Sequence, residues 1–129
     1  MSDMLVEKTQ AVLGKVLDGA AARQRALADN LANVETPGYL RKDVRFESAL
    51  HDAIQNSPAD IDRTLANIEG ISLDSTNDRQ TPVNAQGNNV EIDHEMVEMA
   101  KNSLQYNTAA QLLTMEISQM KTAIHEGRR

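Results

Sequence analysis

Residues 28–39 read ADNLANVETPGY. Upstream lies a long helical pattern, and this stretch ends it. Asn30 and Asn33 are three apart, which places them at neighbouring positions on one helix face. Leu31 and Val34 carry the apolar stripe to its last turn. Thr36-Pro37-Gly38 then stops the helix, because proline disfavours the helical region for the residue before it and glycine turns where other residues cannot. Tyr39 follows as one of two tyrosines in the chain.

Working back from the stop, residues 4–34 predict one helix. Val6, Gln10, Leu13, Leu17, Ala20, Gln24, Leu27, Leu31 and Val34 keep alternating spacings of four and three, a heptad seam with two glutamines in it. Gly14 and Gly19 interrupt the pattern at about 1 kcal/mol each relative to alanine. The run Gly19-Ala20-Ala21-Ala22 predicts a shallow surface for close helix packing in an assembly. Working forward, residues 93–126 predict a second helix, with Asp93 as its N-cap and Glu95 and Glu98 in an acidic first turn. Its seam is Met96, Met99, Ser103, Tyr106, Ala110, Leu113, Ile117, Met120 and Ile124. The methionines on it have no histidine partner and suit packing rather than a metal or haem site. Between the two long helices the sequence predicts a short amphipathic helix over Phe46–Gln55. The polar stretch 57–92 follows, with Pro58, Pro82, Gly70 and Gly87, and reads as loop with little structure of its own. Asn88-Asn89 is expected to make a turn.

The fold expected is therefore all-α: two long antiparallel, coiled-coil-like terminal helices joined by a short helix and a poorly structured middle segment. The units are 1–35, 36–92 and 93–129, the two terminal helices forming one assembly domain. The 129 residues contain one Phe, two Tyr and no Trp. Large aromatics dominate most cores, so this chain is expected to build helix seams more readily than a compact core.

Several kinds of chemistry lack the residues they need. The net charge is −6. Asp60, Asp62, Glu69, Asp74, Asp78 and Glu91 against Arg63 and Arg79 make the middle its most acidic part. No basic stripe exists to neutralise phosphates, so nucleic-acid binding is not expected. There is no cysteine, hence no disulfide framework or thiol chemistry. His51, His94 and His125 have no metal-ligand spacing. Asp74–Asp78 alternates oxygens like a calcium loop, but Arg79 stands where such a loop needs glycine. No glycine loop for phosphates occurs, and little core is foreseen from which to build a catalytic carboxylate pocket. The expectation is no enzyme, no cofactor and no metal. MSDMLVEKTQ has no continuous apolar core before a small-residue cleavage site, and no apolar run approaches the ~20 residues of a membrane span.

The string N-L-A-N-x-x-T-P-G-Y after an N-terminal helix resembles the signature of the flagellar axial proteins, the rod and hook subunits of the bacterial flagellum. Gly87–Asp93, GNNVEID, together with Glu95, Met99, Ala100, Leu104-Gln105-Tyr106, Ala110-Gln111-Leu112-Leu113 and Lys121-Thr122-Ala123-Ile124, is similar to the flagellar basal-body rod proteins, closest to the proximal rod. The resemblance covers 5–50 and 84–125. FlgC-type rod subunits share the first motif but carry a different sequence before the last helix. The alternatives are such a subunit, or a soluble helical adaptor or chaperone.

The resemblance implies a polymerising subunit of a tube that transmits torque across the periplasm and encloses the export channel, exported without a cleaved signal peptide. It implies as partners the chain itself, FlgC-like and FlgF-like rod proteins, the rod–export-gate adaptor FliE, the MS ring and the export apparatus. The residues expected to carry assembly are Leu13, Leu17, Leu27, Asn30, Leu31, Asn33, Val34, Pro37, Gly38, Tyr39, Met96, Met99, Tyr106, Ala110, Leu113, Ile117, Met120 and Ile124.

Overall fold

Helix α1, Ser2–Ala32, is the element on which the rest of the chain is laid. The structure is a computed structural model and describes residues 2–128. After α1 come β1 (Lys42–Asp43), α2 (Glu47–Gln55), α3 (Ile61–Glu69), β2 (Thr76–Asn77) and α4 (Ile92–Gly127). The class is all-α, as the sequence predicts. The two strands form a two-residue antiparallel pair, Lys42 opposite Asn77 and Asp43 opposite Thr76.

Helix α4 has 36 residues and lies along α1. The pair is antiparallel: Asn30 reaches Glu95, Ala20 reaches Asn102 and Gln10 reaches Met120. At 1.5 Å per residue the two helices run about 45 and 55 Å. Contrary to expectation, Asp93 does not cap α4. Glu91 holds the N-cap position in extended conformation, without a side-chain cap bond, and Asp93 falls in the first turn, where its charge still suits the helix dipole.

Another side of α1 carries a small core that the composition did not suggest. Ala22, Ala26, Val44, Phe46, Leu50, Ala53 and Ile68 are buried together, with Val12, Val16, Ile71 and Leu73 packed against them. The lone phenylalanine is its centre. A Cβ on Gly19 would lie 2.3 Å from Phe46 Cε1, so the ring rests directly on the α1 backbone. The close approach at Gly19 is thus taken by the chain's own Phe46 rather than by another helix. Arg23 closes over the ring, its guanidinium 5.0 Å from the centroid, and donates through Nη2 to Val44 O at 2.6 Å and to Glu47 Oε2 at 2.8 Å.

The middle segment is also more ordered than its polarity predicts. Ile61, Leu65 and Ile68 lie on one face of α3, and Asp60 caps it by accepting from Arg63 N at 3.0 Å. Thr64 is fully buried because its hydroxyl donates to Ser57 O at 2.7 Å. Side-chain bonds to the backbone replace the apolar mass that the segment lacks.

Candidate functional site: a polar junction and an uncovered helix

The motif that ends α1 closes onto two distant stretches. Asn30, fully buried, donates from Nδ2 to Lys42 O at 2.9 Å and to Glu95 Oε2 at 3.1 Å. Its Oδ1 accepts from Lys42 N at 2.7 Å and from the Tyr39 hydroxyl at 3.2 Å. One asparagine thereby pins the returning chain, residues 39–42, to the last turn of the helix. Asn33 lies just past the helix end; its Nδ2 donates back to Asp29 O at 2.8 Å. The two asparagines therefore do not share a face: one points into the protein and the other finishes the turn.

Arg41 is buried beside Asn30. Its Nε donates to Glu95 Oε1 at 2.7 Å, and its Nη1 reaches Asp78 Oδ2 at 3.3 Å. Burial is the largest single influence on this guanidinium and opposes its charge, but the bond and charge of Glu95, with Asp78, outweigh it and raise its pKa. Asp78 also accepts from Thr81 Oγ1 at 2.6 Å and from the N–H groups of Gln80 and Thr81 at 2.9 and 3.1 Å. The Thr81 hydroxyl above all, then these N–H groups and Arg41, hold the Asp78 carboxyl well below the usual carboxylate range against the effect of burial. Burial raises the Tyr39 phenol, with Lys42 partly offsetting it.

Asn88 and Asn89 are buried rather than forming a bare turn. Asn88 Nδ2 donates to the carbonyls of Asn33 and Thr36, each at 2.9 Å. Asn89 accepts from Arg41 N at 2.7 Å and donates to Asp78 O at 2.8 Å. The two loops meet at two glycines. Gly38 (φ +74°) donates its N–H to Gln86 O at 2.9 Å, and a Cβ on Gly87 (φ +78°) would lie 3.4 Å from Gly38 Cα. Both positions need the left-handed conformation that glycine adopts without strain.

Beyond this junction α4 is poorly covered. It buries Glu95, Asn102 and Ala109, and no described residue past Ala109 is buried. Most of its large apolar side chains face outward: Met96 is 59% exposed, Leu104 70% and Met115 57%. Residues 102–115, NSLQYNTAAQLLTM, hold no charged side chain on any face. A helix meant for water normally carries charges on its outer side. Between α1 and α4 lies an open groove of about 460 Å³ flanked by Ala20, Gln24, Asn102 and Tyr106. Among the described residues no cluster of three or more His, Cys, Asp or Glu could hold a metal ion, and no helix is long and apolar enough to cross a membrane.

Known proteins are similar to this sequence over 72–95% of its length. The flagellar basal body rod protein FlgB of Escherichia coli (strain K12) is 30% identical over 95% of this chain and 99% of its own. The chain belongs to the FlgB family. FlgB of Bacillus subtilis (strain 168) is 28% identical over 90% of this chain and 92% of its own, and FlgB of Borrelia hermsii 35% over 72% and 78%. No family model matches the chain.

Within this FlgB-family chain the residues expected to carry assembly divide into three groups. Asn30, Gly38 and Tyr39 are brought together at the junction with Asn33, whose carbonyl accepts from Asn88, and Pro37 lies exposed beside them. Leu27 is buried, while Leu13, Leu17, Leu31, Met99, Ala110 and Leu113 are half-buried along the helix pair; Val34, expected inside the helix, is half-buried in the turn just past its end. Met96, Tyr106, Ile117, Met120 and Ile124 are exposed. Sequence reasoning passed over Arg41 and Asn102, and took Asp78 only as one of the middle segment's acids and the end of a rejected calcium loop. Glu95, Asn88 and Asn89 were noticed as a first-turn acid, a turn and parts of the rod-protein motif, but not as buried hydrogen-bonding groups.

Proposed function

We propose that this chain is a structural subunit of the proximal rod of the bacterial flagellar basal body. It polymerises through α1 and α4 into a tube that transmits torque and encloses the export channel. The observation that carries this reading is the uncovered, uncharged length of α4. A single chain leaves Leu104, Met115 and Ile124 in water, and membership of the FlgB family supplies the kind of assembly that covers them. The two terminal helices form the assembly domain, and the half-buried and exposed residues of both seams are its packing surface. No catalytic step is part of this role.

The partners are other copies, FlgC-like and FlgF-like rod proteins, the adaptor FliE, the MS ring and the export apparatus. The place is the periplasmic rod, reached without a cleaved signal peptide. The test is deletion of the gene in its own host, with basal bodies purified from the mutant and from a strain complemented with the wild-type chain. The expected result is rods arrested before the hook, and motility restored on complementation. Complete hook–basal bodies in the deletion strain would overturn the reading.

A further inference from the structure

The three residues that α4 buries, Glu95, Asn102 and Ala109, are seven apart, and none is a large apolar residue. The apolar side chains flank this line and remain partly exposed. Such a flank says little about register. Leucines, isoleucines and methionines spaced three and four apart repeat after every turn, so sliding α4 by one turn exchanges one apolar neighbour for another.

The polar groups do not repeat. Asn102 Nδ2 donates to Ala20 O at 2.8 Å and to Gln24 Oε1 at 3.0 Å. Glu95 receives Arg41 and Asn30. A one-turn slide, about 5.4 Å, breaks every one of these bonds. We propose that buried polar residues, Asn102 foremost and Glu95 at the closed end, fix the register of α4 along α1, and that the apolar stripe does not. Asn102 is the more telling of the two. Its Oδ1 is buried without a partner, so the residue is not the most stabilising choice at its position. Ala20 O keeps its own bond within α1 when the amide is removed. Asn102 therefore contributes specificity at some expense of stability, the role best attested for buried polar groups in helix pairs.

The chain has no cysteine, so Arg25→Cys and Lys121→Cys, both at exposed positions, give a chain with two spin labels only. Pulsed electron–electron resonance then reads the axial offset between the helices, which a one-turn slip changes by about 5 Å. The expected result is one narrow distance in the otherwise wild-type chain. With Asn102→Leu or Asn102→Ala a second component displaced by about 5 Å is expected, with helical content unchanged and Tm not lowered. Leu113→Ala should lower Tm and leave the single distance intact. A single unshifted distance in both Asn102 variants overturns the proposal. So does loss of helix in both, which would make Asn102 a stability residue, and so does equal broadening by Leu113→Ala.

Discussion

Arg41 is one cation set between two carboxylates that reach it from 37 and 54 residues away, and its burial makes each contact matter. Asp78 has a folded-state pKa below its ordinary value of about 3.8. Its contribution to stability is therefore fully present above that value and is lost as pH falls through the folded pKa. Asp78→Asn should be less stable than wild type at pH 7, and the gap should shrink steadily as pH falls from about 5 towards 2. Urea unfolding across that range measures it; a constant gap would show that the carboxylate charge is irrelevant. Gly38 gives a second test at this scale. Valine cannot adopt φ +74° without strain, so Gly38→Val should cost about 1 kcal/mol or more. It should also reduce motility at near-normal expression. Unchanged swimming would mean that the loop rearranges freely.

The elements were legible in unequal measure, for physical reasons. Helices α1, α2 and α4 announce themselves because their apolar residues recur with helical period over enough turns. Helix α3 carried the same signal, Ile61, Leu65 and Ile68 after the cap Asp60, but it spans nine residues inside a polar segment, and the composition of the segment hid it. The Phe46 core depends on one ring meeting one glycine 27 positions earlier in the chain. The polar junction left no periodic trace, because Arg41, Asp78 and Glu95 are paired by the fold and not by spacing. The seam of α4 is apolar as read, but within the single chain only its Met99, Ala110 and Leu113 are even half-buried. Ile117, 41% exposed, states the consequence. Ile117→Asp should leave the isolated chain folded, within about 0.5 kcal/mol of wild type. It should block incorporation into the rod, since an unpaired charge buried between helices costs several kcal/mol. Gln119→Asp serves as a partial control for charge. Basal-body purification with each variant decides; normal incorporation of Ile117→Asp would mean that this face stays in water after assembly.

At the scale of the molecule, α1 is shared by two structures, the pair with α4 and the core with α2 and α3. By its polarity the middle segment 57–92 is expected to have little structure of its own. The burial of Thr64 and Ile68 argues otherwise. Deleting residues 61–69 should uncover Phe46, Leu50 and Ala53 and lower stability by about 3 kcal/mol or more. Removing residues 121–129, whose described members are all exposed, should matter far less to the isolated chain. Thermal melts of the two deletions compare them directly, and equal melting points would mean that α3 contributes nothing to the core.

The fourteen-position run of α4 without charge, residues 102–115, also governs how the chain behaves before it has neighbours. Exposed apolar surface of this kind attracts other copies, and the net charge of −6 borne by the rest of the chain opposes that attraction. Salt shortens the reach of that repulsion, from roughly 30 Å at 0.01 M to 3 Å at 1 M, and leaves the apolar attraction in place. Premature clumping should therefore begin at lower protein concentration as salt rises, a trend sedimentation velocity can follow.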